Sequence, residues 1–175
     1  MNMTNRSTLI RIIALIVVFV LSVLIGIYTG SNFNFHTATN IKSDNVGLHG
    51  VIVYFVHNGL LLLIPLISVF IFGIIAPVFL VSQAVVIGIF VGVSMYNGLS
   101  ILDITVRMSH GLFEIPAMML ATWIGTFYVY KYNEPFSDFW KRVRKRVLVV
   151  YVLVGISAIC EACFTPILIR WLNNG

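Results

Sequence analysis

"VIVYFVHNGLLLLIPLISVFIFGIIAPVFLVSQAVVIGIFVGV", residues 51–93, runs for 43 residues with almost no polar interruption. Its reading decides the fold. A helix needs about 20 apolar residues to cross a hydrocarbon core of about 30 Å, so one helix cannot use this length. Two spans joined by a tight reversal can. Gly73 and Pro77 stand near the midpoint and mark the reversal, because glycine accepts turn conformations and proline interrupts the helical ladder. The run therefore divides into helices at about 51–72 and 75–95.

The flanking sequence agrees. Of 175 residues, 59% are hydrophobic and 10% charged, and the mean hydropathy is +1.01. A soluble domain carries about 25% charged residues. The expected fold class is an all-α integral membrane protein, a single transmembrane domain over residues 1–175. It is a bundle of about five transmembrane helices with a short amphipathic interfacial helix. The first span is 9–28, behind Arg6 and Arg11. It is longer than the roughly 7–15-residue core of a secretory signal, so it reads as a retained helix. Residues 30–50 form a polar loop containing His36, Lys42, Asp44 and His49, and the fourth and fifth spans are 104–130 and 147–169.

Between those last two spans lies "KYNEPFSDFWKRVRKR", residues 131–146. It holds six of the eleven basic residues: Lys131, Lys141, Arg142, Arg144, Lys145 and Arg146. Basic residues accumulate on the cytoplasmic side. Five spans put this loop and the amino terminus on that side together, and the carboxyl terminus outside. A single span over 51–93 would separate the two basic regions. The chain thus reads as a multi-pass cell-membrane protein. Phe136, Phe139, Trp140 and Val143 recur at helical spacing in the loop, the pattern of a helix lying in the headgroup region. This segment is either a docking surface for a partner or a device for topology and anionic-lipid attraction. The net charge of +5 accordingly concerns the lipid bilayer, and nothing resembles a nucleic-acid module. Cys160 and Cys163 lie in an apolar run, where a C-x-x-C pair reads as two small residues on one helix face rather than a redox or metal motif.

The fourth span carries "SHGLFEIPAM", residues 109–118. His110 and Glu114 are four apart and share a helix face. Asp103 and Arg107 continue that face outward, and Ala117, Ala121 and Gly125 continue it inward as a small-residue stripe fit for close helix packing. At 1.5 Å per residue, Glu114 lies roughly 15 Å into its span, Glu161 roughly 21 Å from the start of the fifth, and Asn58 roughly 10 Å into the second. His57 adjoins Asn58, and Ser157, Glu161 and Thr165 make a polar line on the fifth helix. A charge at mid-bilayer costs at least about 2.5–3.5 kcal/mol, so these groups are expected to meet. Three readings stay open. The groups satisfy one another and fix packing. Or His110, Glu114 and Glu161, with His57 as a further donor, ligate a divalent metal such as zinc. Or they form an ion or proton path.

"HGLFEIPAMMLA", residues 110–121, resembles the H-G-x-x-E-x-P-A signature of the stage II sporulation protein M family. The matching residues are His110, Gly111, Glu114, Pro116 and Ala117. Asn58 in the second span and "EACFTP", residues 161–166, resemble further positions of that family. The resemblance implies a polytopic membrane protein working with other membrane proteins of its gene cluster. It implies either maturation or export of a hydrophobic peptide such as a circular bacteriocin, or a non-enzymatic scaffold. The scaffold would recruit peptidoglycan-remodelling partners in sporulation or envelope remodelling. The maturation branch gives His110, Glu114 and Glu161 catalytic roles, as in a metal-dependent intramembrane peptidase or peptide cyclase.

Overall fold

The computed structural model of the protein describes residues 3–32 and 46–174. All regular elements there are helical: α1 (Met3–Asn32), α2 (Gly47–Ile67), α3 (Ile75–Tyr96), α4 (Ile101–Arg107), α5 (Gly111–Phe127), α6 (Phe136–Ile159) and α7 (Thr165–Asn174). A 3-10 turn, Ser68–Phe70, follows α2, and a π-helical segment, Cys160–Phe164, joins α6 to α7. Four helical stretches are long and apolar enough to cross a membrane, and α5 is a shorter apolar helix. The protein is an all-α membrane protein. Residues 33–45, with His36, Lys42 and Asp44 of the expected polar loop, lie outside the described residues, whereas His49 belongs to α2.

The chain divides into two units: Met1–Thr37 with Leu80–Leu99, and Ala38–Phe79 with Ser100–Gly175. In the first, α1 and the later part of α3 meet backbone to backbone. A Cβ on Gly26 would stand 2.9 Å from the Gly88 Cα, and one on Gly92 would stand 3.1 Å from the Gly30 Cα. Both pairs have the small-xxx-small spacing that permits such approach.

The second unit contains the reversal read from residues 51–93. Ser68 is fully buried, and its Oγ accepts the Ala76 N–H at 3.0 Å, while its carbonyl accepts the Gly73 N–H at 2.9 Å. Phe72 and Gly73 take φ of 51° and 74°. Gly73 has a second reason to lack a side chain, since a Cβ there would lie 2.8 Å from the Thr126 carbonyl. Pro77 falls in the first turn of α3, where its missing N–H is tolerated. Close packing of α2 on α5 follows the expected small stripe. Ala117 and Ala121 are completely buried, and a Cβ on Gly125 would collide with the Pro65 carbonyl and the Ala76 side chain.

Two segments differ from the expectation of uninterrupted spans with a separate interfacial helix. Over 104–130 the chain makes two helices, α4 and α5, broken at Met108–His110. Ser100 and Asp103 form a capping box at the start of α4, so Asp103 serves the cap rather than an ion pair with Arg107. The segment read as a short interfacial helix is instead the first part of α6. Pro135 starts that helix, and neither glycine nor proline interrupts it before Gly155. Lys141, Arg142, Arg144, Lys145 and Arg146 are consequently helical rather than in a loop.

Candidate functional site

The break between α4 and α5 is held from the other end of the chain. Ser157 Oγ donates to the His110 carbonyl at 3.1 Å. Ser109 Oγ and Thr165 Oγ1 are hydrogen-bonded at 3.0 Å. Thr165 Oγ1 also bonds the Cys160 carbonyl at 3.1 Å, a wider step than a regular α-helical turn. Pro166 explains the widening, because it has no N–H to bond the Ala162 carbonyl. The helix answers with a π segment, which carries Glu161. Such single-turn π segments concentrate at functional sites. Ser157 and Thr165 are buried, so two hydroxyls fix the register between the helix break and the π segment.

His110 caps the start of α5, and its Nε2 lies 3.7 Å from Glu114 Oε2. That is an ion-pair distance but longer than a hydrogen bond. The Nδ1 of His110 is buried without a hydrogen-bond partner among the described residues. The two side chains are only partly covered, at 22% and 34% exposure. Glu161 is near enough to Glu114 for their charges to interact, and Tyr54 on α2 feels Glu161 in the same way. His57 on α2 acts on Glu114 from its side. Asn58, its neighbour, is buried at 7% exposure. The helix break, the π segment and one turn of α2 thus contribute the polar groups.

No three His, Cys, Asp or Glu side chains among the described residues are grouped so that they could hold a metal ion. His110 and Glu114 make a pair, but neither Glu161 nor His57 completes a donor set with them. Cys160 and Cys163 are free thiols in the π segment. Gly111 and Pro116 both lie in α5. A Cβ on Gly111 would meet only Ile115 Cδ1 at 3.7 Å, so packing does not demand that glycine.

Ser109 and Tyr54 are not singled out by the sequence. The polar spacing of Ser157, Glu161 and Thr165 was the signal for the clamp. Tyr54 stands one helical turn before His57 and Asn58, which was a weaker one.

The basic segment has its own order. Lys141 pairs with Asp138 at 3.0 Å and Arg142 with Glu134 at 2.7 Å. Arg146 lies over the Tyr128 ring at 4.7 Å. Phe70, Tyr130, Phe136 and Phe139 pack as one aromatic cluster, with Phe70 and Tyr130 edge to face at 5.6 Å.

Among protein families, the one described as "Stage II sporulation protein M" matches residues 15–166. No curated protein and no solved structure matches the chain.

Proposed function

The chain belongs to the stage II sporulation protein M family, and we propose that it binds a hydrophobic peptide at the α4–α5 break and takes part in its maturation or export. A circular bacteriocin is the type of substrate that fits. One observation carries this reading: the ionisable side chains at the break do not satisfy one another. The buried Nδ1 of His110 has no hydrogen-bond partner among the described residues, and Glu114 stands 3.7 Å from Nε2 rather than in a hydrogen bond. A cluster kept only for packing would be expected to close its hydrogen bonds, since an unpaired buried polar group costs about 1–3 kcal/mol. A peptide entering from lipid also needs its backbone N–H and C=O groups satisfied. Glu114 and Glu161 accept N–H groups, and a protonated imidazole nitrogen of His110 donates to a carbonyl. Proton transfer by the same groups suits amide cleavage or closure. The described residues offer no three-donor group for a metal ion.

The accompanying topology has the amino terminus and residues 131–146 in the cytoplasm and the carboxyl terminus outside. Its support is the distribution of Lys and Arg together with the crossing capacity of α5, whose 17 residues extend about 26 Å.

The test is Glu114→Gln and Glu161→Gln in a host that makes the peptide, with processed peptide in the medium measured by mass spectrometry. The proposal predicts normal membrane insertion and a loss of mature peptide of about a hundredfold or more, the lower end of what an acid–base group contributes. Full peptide release from both variants would overturn it and favour the scaffold that recruits envelope-remodelling partners.

A further inference from the structure

Apart from the polar break, the second unit contains an apolar groove of about 280 Å³ between α2, α5 and α6. Ile124, Phe139 and Val143 form its buried floor. Leu63, Ile67, Phe70 and Trp140 line its open side and stay exposed. Its only polar-capable lining groups are the Trp140 indole and the Tyr151 hydroxyl. Tyr151 is already directed at the Gly59 carbonyl, at 3.5 Å.

What fills such a groove is restricted by its chemistry. An extended peptide would bring backbone N–H and C=O groups that find no partners there, a cost of several kcal/mol each in an apolar setting. A hydrocarbon chain brings no such groups.

The rim adds a charge. Arg144 lies four residues after Trp140 and three before Val147, both groove residues, so it shares their side of α6. Three of its basic neighbours are engaged: Lys141 with Asp138, Arg142 with Glu134, and Arg146 on Tyr128; Lys145, five residues after Trp140 and two before Val147, falls off that side of the helix. Arg144 has no acidic partner among the described residues, and it stands where α6 passes from charged to apolar sequence. Phe139, five residues earlier, packs on Phe70. Arg144 therefore sits about 7.5 Å along the helix from that aromatic cluster, toward the apolar half. A guanidinium there gains most from a planar, multidentate oxyanion such as phosphate. The exposed Trp140 indole N–H is a second donor beside it, making no hydrogen bond among the described residues.

We propose that the groove between α2 and α6 holds one acyl chain of an anionic phospholipid, with its phosphate on Arg144 and the Trp140 indole. The site is separate from the polar break and does not depend on the function assigned there. It makes the basic segment a receptor for single lipid molecules rather than a diffuse charge.

Trp140 supplies the reporter. The full-length chain carrying Trp123→Phe and Trp171→Phe is placed in phosphatidylcholine nanodiscs containing either brominated phosphatidylglycerol or brominated phosphatidylcholine at equal mole fraction. Bromine quenches an indole it touches. Trp140 should report about fivefold tighter association with the glycerol lipid, the equivalent of about 1 kcal/mol for one basic residue near the surface. Arg144→Gln, at an exposed position, should bring that ratio to about one. Val147→Phe, which fills the groove, should lower quenching by both lipids. Equal quenching by the two lipids in the unsubstituted protein would overturn the proposal. So would a preference that survives Arg144→Gln, quenching that survives Val147→Phe, or a Trp140 shielded from both lipids by a co-purifying protein.

Discussion

The two units differ in where their polar side chains find partners. In the later half of α1, four polar side chains bond back to their own helix. Ser22 donates to the Val18 carbonyl, Thr29 to Ile25, Ser31 to Ile27 and Asn32 to Tyr28, at 2.7–2.8 Å. The glycines of that unit then bring bare backbones together. In the second unit Ser157 and the Ser109–Thr165 pair reach between segments far apart in sequence, and a histidine nitrogen is left without a partner among the described residues. Local satisfaction leaves a helix free to pack by shape alone. Satisfaction at a distance fixes a particular register, and the open histidine nitrogen is the feature on which the proposed peptide site rests.

The comparison breaks most severely at the glycine crossing. Gly88→Leu would drive a side chain into the Val23 carbonyl and the Gly26 Cα. Rigid backbone cannot yield as a flexible side chain would, so the loss should exceed about 3 kcal/mol, the upper range for overpacking. Thermal unfolding in detergent should show a collapse of stability, whereas Gly111→Ala, facing only Ile115 Cδ1, should unfold near the unsubstituted protein.

A smaller effect is expected at the clamp. Ser109→Ala and Thr165→Val remove the two ends of one hydrogen bond, and each should cost about 1 kcal/mol. Their double mutant should cost less than the sum, with a coupling of about 0.5 kcal/mol or more. Strict additivity would show that the bond does not hold the helix break to the π segment.

The smallest effect belongs to the α4 cap. The Ser100 hydroxyl and backbone N–H donate to Asp103 Oδ2 at 2.6 and 3.1 Å, which holds its carboxyl below the ordinary value of 3.8. A lowered folded-state pKa means that the cap stabilises above the unfolded value and is lost as pH falls through the folded one. Hydrogen-exchange protection of the Asp103 amide, which donates to Ser100 Oγ at 3.1 Å, should therefore decline below about pH 4. Asp103→Asn should remove that pH dependence.

Much of this molecule is visible in its sequence, because apolar run length and glycine spacing are local quantities. Residues 51–93 show two helices and their reversal at Gly73 without any tertiary information. The i,i+4 spacing of His110 and Glu114 likewise places them together. The break at 108–110 is different. Nothing in Met108-Ser109-His110 forbids a helix, and hydroxyls roughly 50 residues away hold the break open. Pro166 announces a disturbance in the last helix, but not that a π segment would absorb it around Glu161. The spacing of Phe136, Phe139, Trp140 and Val143 shows a helix in the charged segment, but not that it runs on unbroken into the apolar stretch after it. Covered by partners such as Asp138, Glu134 and the Tyr128 ring, those basic residues are compatible with one long helix.

If the proposed peptide site is right, the carboxylates at the helix break serve function and add nothing to stability. The decisive measurement is thermal unfolding of Glu114→Gln and Glu161→Gln beside peptide release. Glu114 stands beyond hydrogen-bond distance of His110, so a neutral amide of like size gives up no hydrogen bond there. An unchanged or raised Tm is expected in both variants together with lost release. A Tm lowered by about 4 °C or more, the shift roughly equivalent to 1 kcal/mol in a domain of this size, with release falling only as far as the folded fraction falls, would contradict it.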